Sequence, residues 1–275
     1  MLLLAVAVPA RIGAQQVQTF ELRWDNDFLA LRGGGKPDDR DYTQGLEIAV
    51  ALRHDSAGGA EYRVALGQRI YTPRFDGDEP VAGERPYAGW LYASVARRVT
   101  SPRAAYTLAA EAGVTGPPAL GEQVQNGVHR LTRSERQQGW SNQLAFEPAF
   151  VVRARAELVR HVRGVEVRPY GEVGAGTLWD GAAVGVRTGS GGGRGFYADA
   201  GARAEWVARD LFLDGNTFTT SVRADRRPLV AAGDAAAGYR WRQGWVEYRM
   251  SMRSREYAAQ RAPHRYGSLA FGWRR

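Results

Sequence analysis

The sequence predicts an all-β protein: a closed antiparallel transmembrane β-barrel of about 12 strands, with a short helix in one long external loop. Three observations predict this fold. Apolar and polar residues alternate along segments of roughly ten residues, short and long connections alternate between the segments, and aromatic residues recur near segment ends. A soluble sandwich has strands of about five or six residues, so we expect these longer runs to cross a membrane as tilted strands.

The alternation is clear in residues 244–257, where the apolar Val246 and Tyr248 are interleaved with the polar Glu247 and Arg249. A period of two puts successive side chains on opposite faces of a strand. The same pattern predicts twelve strands, at residues 17–31, 42–54, 61–73, 87–99, 104–115, 146–160, 165–178, 182–188, 196–213, 229–241, 244–257 and 265–273.

The connections fit the two sides of an outer membrane, because periplasmic turns are short and external loops are long. The long ones are residues 32–41, 74–86, 116–145 and 214–228. An even strand number closes the sheet without a free edge, as a bilayer requires. Aromatic residues are expected to form interfacial girdles at the strand ends: Trp24, Trp90, Tyr92, Trp206, Trp245, Tyr257, Tyr266 and Trp273.

Composition narrows the class of protein further. The chain has no cysteine, which excludes a disulfide scaffold and a thiolate metal site. Net charge is +8, and Lys36 is the single lysine among 37 basic residues. These arginines are spread along the chain rather than gathered in a nucleic-acid-binding block. We expect them to line a wet interior, and we expect a membrane-embedded protein with no nucleic-acid partner.

The two ends of the chain carry targeting features. Residues 1–14 have an apolar run too short to span a bilayer as a helix, followed by a small-residue cleavage site, and are interpreted as a signal-peptide remnant. Residues 15–275 then form a single outer-membrane barrel domain. In the last strand Leu269, Phe271 and Trp273 share one face. This resembles the terminal aromatic strand that the barrel-assembly machinery recognises. That machinery is therefore an expected partner during biogenesis.

Two polar segments fit poorly with a purely structural barrel. In the first strand Asn26 follows Trp24 on the lipid-facing side, and an unsatisfied amide there would cost on the order of 1–3 kcal/mol. We therefore expect Asn26 and Asp27 to lie at the outer rim. The acidic residues 38–41 enter the second strand, and clustered carboxylates suit a hard cation such as Ca²⁺. If the first two strands form a hairpin, Thr43 lies near the level of Asn26.

The longest connection, residues 116–145, contains a third polar segment. As a helix it would place Glu122, Gln125 or Asn126, and His129 on one face. Long structured loops are usually functional. A neutral imidazole can act as a general base for water, so His129 is the candidate catalytic base.

Seven motifs in order resemble the lipid A 3'-O-deacylase family of outer-membrane barrels. The similarity runs from about residue 17 to 273, and each motif alone is loose. The motifs are WDNDF from Trp24, DYTQG from Asp41, GQRIYTP from Gly67, ERPYAGWL from Glu84, GEQVQNGVHR from Gly121, GWSNQ from Gly139 and FLDGNTF from Phe212.

The resemblance implies a twelve-stranded barrel with its site between the outer wall and a loop helix, and a bound Ca²⁺. It implies catalytic roles for Asn26, Asp27, Thr43 and His129. Asp27 and Glu135 would hold the metal. His129 would take a proton from water, and Ca²⁺ would stabilise the oxyanion.

In one respect the sequence departs from the family. The resemblance implies a lysine in the second long loop, near the lipid phosphate or oxyanion. This chain has only Arg74 and Arg85 there. Arginine can supply the charge but not the same geometry, which leaves the substrate preference open.

Three functions are consistent with these residues. The first is an esterase that removes the 3'-linked acyloxyacyl group from lipid A or lipopolysaccharide. The second is a phospholipid acyl hydrolase using the same chemistry. The third is a non-enzymatic barrel, either a small porin or a structural protein, whose arginines and glutamates line an aqueous lumen.

Overall fold

The computed structural model describes residues 16–31, 40–54, 59–74, 77, 79–133, 135–190 and 193–275. The interpretation of residues 1–14 as a signal remnant and the acidic residues Asp38 and Asp39 lie outside these ranges.

Most of the described chain is β-strand. The strands of the first half are β1 (Gln16–Asn26), β2 (Asp41–His54), β3 (Ala60–Thr72), β4 (Ala88–Thr100), β5 (Ala104–Thr115), β6 (Pro148–Leu158) and β7 (Arg160–Val162). Those of the second half are β8 (Val165–Gly176), β9 (Trp179–Ser190), β10 (Gly195–Asp210), β11 (Leu229–Trp241), β12 (Gly244–Arg253) and β13 (His264–Arg274). The helices are α1 (Gly121–Thr132) and α2 (Leu211–Asp214), and 3-10 turns cover Asp27–Leu29, Pro117–Ala119 and Gly139–Asn142.

The strands form one closed antiparallel wall. Successive strands pair along the chain, β1 pairs with β13, and the pairing of β6 with β8 completes the ring. The wall has 12 strands and one extra strand, because the three-residue β7 continues β6 and pairs with β8. The predicted closed barrel with a short external helix is therefore confirmed.

The first strand is shorter than predicted. The alternation suggested a strand to residue 31, but β1 ends at Asn26 and a 3-10 turn follows. The side chain of Asn26 explains this end, because its Oδ1 accepts a hydrogen bond of 2.8 Å from Phe28 N. An asparagine in this role caps a helical turn and terminates the strand.

The strand β9 is longer than predicted. It begins at Trp179, three residues before the predicted start at residue 182, after a connection of only Thr177 and Leu178. Asp180 holds this tight turn, because its Oδ1 accepts a hydrogen bond of 2.7 Å from Gly176 N. The alternation of apolar and polar residues in the sequence does not predict such a hydrogen bond. At the same outer end, β10 stops at Asp210 rather than at residue 213.

The interior of the barrel is lined by ion pairs, as the arginine content predicts. Arg63 lies 2.8 Å from Glu21 and 2.7 Å from Glu47. Arg69 lies 2.8 Å from Glu111. Further interior pairs are Arg98–Glu157, Arg155–Glu172, Arg187–Asp199, Arg249–Asp234 and Arg253–Glu205.

The aromatic residues divide between the two faces, so the expected girdle is only partly correct. The side chains of Trp90 and Tyr92 face inward: Trp90 Nε1 donates to Glu111 and Tyr92 Oη donates to Glu47, each at 2.8 Å. Because both find carboxylate partners, they belong to the polar interior. Tyr257 is buried outside the strands. In the described ranges, no helix is long and apolar enough to cross a membrane.

Candidate functional site

The helix α1 packs on the outer surface of the wall. Gln68 shares a face of β3 with the exposed Leu66, and Gln68 Nε2 donates a hydrogen bond of 2.6 Å to Ala119 O, just before the helix. On β4, a Cβ built on Gly89 would lie 3.1 Å from both Ala119 Cβ and Gly121 N. The absence of a side chain at Gly89 therefore lets the start of α1 approach the strand closely.

The chain returns along α1 through residues 135–140, which we call the return segment and which lead into the Gly139–Asn142 turn. Asn126 Oδ1 accepts from Gln137 N at 3.0 Å. Trp140 Nε1 donates to Gln125 Oε1 at 3.0 Å. These residues of α1 lie on the face predicted from their spacing. The return segment therefore fixes the rotation of the helix about its axis.

The return segment also orients His129. The ring atom Nδ1 of His129 contacts the main-chain carbonyl oxygen of Glu135. A carbonyl oxygen only accepts hydrogen bonds, so in the neutral ring Nδ1 carries the proton and Nε2 carries the lone pair. Glu135 makes this contact through its backbone, and its carboxylate is exposed. Its predicted role as a metal ligand stays a prediction.

The candidate pair Asn26 and Asp27 lies at the outer end of β1. The side chain of Asp27 is 0 % exposed, and its Oδ2 accepts a hydrogen bond of 3.4 Å from Arg40 N. Strand alternation puts Asn26 on the lipid-facing side with the exposed Leu22. The pair thus occupies the rim of the wall, above its apolar outer surface.

Thr43 lies at the same level, as the hairpin prediction requires. Asn26 pairs with Gln44 across β1 and β2. Thr43 is the extra residue of a bulge between Tyr42 and Gln44. Its Oγ1 lies 2.6 Å from Thr72 Oγ1 in a buried hydrogen bond. Sequence reasoning missed Thr72, whose only signal was its position at the end of a strand before a proline.

Asn26, Asp27, Thr43 and Thr72 therefore all lie at the outer ends of three neighbouring strands, β1, β2 and β3, and all four are buried. We call these four residues the rim patch. His129 lies at the same end of the barrel, on the helix that covers the outer surface of β3 and β4.

The rim patch has the chemistry of a site for a hard cation. It offers oxygen atoms from one carboxylate, one amide and two hydroxyls, which are ligands that Ca²⁺ accepts. Within the described ranges, no group of three or more His, Asp or Glu side chains is arranged to hold a metal. Asp27 is the carboxylate of the rim patch and could hold a cation there.

A buried charged cluster at the barrel mouth was not predicted. The Arg85 side chain is 2 % exposed, with Nη1 3.6 Å from Asp41 Oδ1 and 4.0 Å from Glu256 Oε2. Tyr257 Oη lies 3.2 Å from Asp41 Oδ1 and 3.1 Å from Glu84 Oε2, so its single proton can be donated to either carboxylate. We call these five residues the mouth cluster. It ties together the start of β2, the loop before β4 and the loop before β13.

The mouth cluster has two consequences. Burial raises the pKa of Glu256, but Arg253 and Arg85 outweigh burial and hold that pKa below its ordinary value. Glu256 is therefore a buried carboxylate that stays charged. Arg85 is buried inside the barrel mouth, so it does not present a cation at the outer surface where the family resemblance implies a lysine.

A second contact joins two of the external loops. Glu147 Oε2 accepts from Thr217 N at 2.7 Å and from Asn216 Nδ2 at 3.0 Å. Asn216 Oδ1 in turn accepts from Ala145 N at 2.9 Å. Burial raises the pKa of Glu147, but the hydrogen bonds from Thr217 and Asn216 outweigh burial and lower it.

These bonds predict acid sensitivity. A carboxylate whose folded pKa is lowered stabilises the fold above its unfolded value, and this stability is lost as pH falls through the folded pKa. Glu147→Gln should cost about 1–3 kcal/mol at pH 7 and much less at acidic pH. Urea titrations in lipid vesicles at both pH values measure this difference. Glu79→Gln is the matched control, because the Glu79 side chain is exposed in a loop. An equal loss of unfolding free energy for Glu147→Gln at both pH values would contradict a stabilising role of the Glu147 carboxylate.

Together, the closed wall, its apolar outer surface and the external helix on β3 and β4 define an outer-membrane β-barrel, with the rim patch at its outer end. The family model described as outer membrane protein LpxR matches residues 1–275. The chain therefore belongs to the LpxR family and is located in the outer membrane.

One solved structure agrees with this assignment at the level of fold. LpxR from Salmonella typhimurium is 20% identical in sequence, covers 93% of this chain and 99% of its own, and gives a TM-score of 0.80. The translocator domain of the autotransporter NalP from Neisseria meningitidis is 10% identical. Its alignment covers 97% of this chain and 90% of the NalP domain, with a TM-score of 0.47. The search of curated proteins finds no significant match.

Proposed function

We propose that the protein is a lipid A deacylase that hydrolyses the 3'-linked acyloxyacyl ester. Family membership supports this class of activity. The observation that carries it is the position of the rim patch at the outer ends of β1, β2 and β3, where Asn26 follows the exposed apolar Leu22 on the outward face of β1. A lipid lying against this wall would have its acyl chains beside the apolar surface and its ester groups beside the polar patch.

His129 is the proposed general base. With its proton on Nδ1 toward Glu135 O, the ring uses Nε2 to take a proton from water. The resulting hydroxide attacks the ester carbonyl carbon, and the bond from that carbon to the sugar oxygen breaks. The proton on Nε2 passes to the departing sugar oxygen. The products are a free hydroxyl on the sugar and the released carboxylic acid.

The rim patch would hold and polarise the ester. Asp27 would hold Ca²⁺, and Asn26 and Thr43 would position the reacting groups. Bound there, Ca²⁺ would supply positive charge that stabilises the oxyanion. The bond between Thr43 and Thr72 keeps the Thr43 hydroxyl in one orientation.

Mass spectrometry of lipids tests this proposal. Vesicles containing both lipopolysaccharide and phospholipid are incubated with the purified protein, in calcium and in chelator. We expect lipid A to lose the mass of one acyloxyacyl group in calcium and to stay intact in chelator. Intact lipid A under both conditions would overturn the proposal. Fatty acid released from phospholipid alone would replace it with the phospholipase alternative.

A further inference from the structure

We propose that Tyr248 and Gly267 are positioning residues that hold the Asp27–Leu29 turn on the outer wall and thereby place Asn26 and Asp27. The catalytic consequence rests on the proposed function, whereas the docking of the turn is independent of it. The turn follows β1 directly, and Leu29 lies against the outer face of β13.

The first part of this contact is a close approach at Gly267. The register pairs Gly267 with Asn26 across β13 and β1. A Cβ built on Gly267 would lie 2.6 Å from the carbonyl carbon of Leu29 and 2.7 Å from Leu29 Cβ. Both distances are too short for real atoms, and one of them involves backbone. Any side chain at residue 267 would therefore push the turn away from the wall.

The second part is a hydrogen bond from the neighbouring strand. Tyr248 lies on the outward face of β12, opposite to the inward-facing Glu247, which binds Arg249. Tyr248 Oη donates a bond of 2.7 Å to Leu29 O. Beside lipid, a backbone carbonyl without a donor is costly. The phenol therefore both satisfies this carbonyl and ties the turn to a strand that is two places away from β1.

The docked turn controls the candidate site through covalent proximity. Asn26 caps the turn through Phe28 N, and Asp27 is its first residue. A shift of Leu29 must move both residues, because two peptide units separate Asp27 from Leu29. Misplacement of a reacting group by about 1 Å can lower a rate roughly a hundredfold.

The test compares Tyr248→Phe and Gly267→Ala with two matched controls. Tyr106→Phe removes a phenol from an exposed outward position on β5, and Gly233→Ala adds a methyl where the nearest atom lies at 3.5 Å. Heat-modifiable gel migration checks that each barrel is folded. Hydrogen exchange of residues 27–31 and the kinetics of lipid A deacylation are then measured.

We expect exchange in residues 27–31 to rise about tenfold in both test variants, with kcat lowered roughly ten- to a hundredfold and KM nearly unchanged. The controls should match the wild type. Tyr248→Phe removes the hydroxyl and leaves the packing at Gly267 as it is. If hydrogen exchange of residues 27–31 is unchanged in this variant, the proposal is overturned. Raised exchange with wild-type kcat would overturn it as well. Raised exchange in a protein that never deacylates lipid A would support the docking of the turn and reject the proposed function instead.

Discussion

His129→Ala is expected to lower kcat for lipid A deacylation by about a hundred- to ten-thousandfold, the range that general bases contribute. The imidazole Nδ1 contacts Glu135 O in the return segment, and the residue is half-buried on the outside of the barrel. Its removal should therefore leave the wall intact. Single-turnover assays on purified lipid A measure the loss, and gel migration checks folding.

The matched control for this variant is His161→Ala. That histidine is exposed at the periplasmic end and lies 3.6 Å from Glu166. It should retain wild-type activity. If His129→Ala deacylates lipid A at the wild-type rate, His129 has no place in the mechanism.

Arg85→Met is expected to destabilise the protein by about 3–5 kcal/mol, the usual effect of breaking a buried ion pair from one side. Methionine can fill part of the space but leaves the buried Asp41 without its arginine, and leaves Glu256 paired with Arg253 alone. Asp41 begins β2 two residues before Thr43. The same variant should therefore also lower activity, by loosening the strand end that carries the bulge.

Urea titration in lipid vesicles measures this loss of stability. Arg97→Met is the control, because Arg97 is exposed and its contact is a 3.2 Å bond to the exposed Tyr62. Its free energy of unfolding should change by less than about 1 kcal/mol. In the double variant Arg85→Met with Asp41→Asn, part of the lost stability should return, because one uncompensated charge is removed. Equal stability of Arg85→Met and Arg97→Met would show that the mouth cluster does not stabilise the fold.

Much of the fold could be predicted because the wall is periodic. A strand with lipid on one side and a polar interior on the other must alternate, and that pattern fixed the strands to within a few residues. The helix α1 was predictable from the spacing of Gln125 and His129. The hairpin of β1 and β2 placed Thr43 beside Asn26 for the same reason, since the register follows from the turn and the alternation.

The remaining features depend on contacts that no local pattern encodes. Asn26 ends β1 through a side-chain bond to Phe28, although apolar residues continue to Leu31. Trp90 looks like an interfacial residue but bonds to Glu111 inside the barrel. The mouth cluster joins Asp41 to Tyr257, which are distant in sequence. Such pairs become visible only when the barrel closes.

The central claim is that His129 and the rim patch act as one site, and a double-variant cycle tests it most directly. The kcat for lipid A is measured for the wild type, His129→Ala, Asp27→Asn and the double variant. Residues that act as a unit give non-additive losses. We predict that the double variant is about as slow as the slower single variant. Losses that multiply, or full activity in Asp27→Asn, would contradict a shared site.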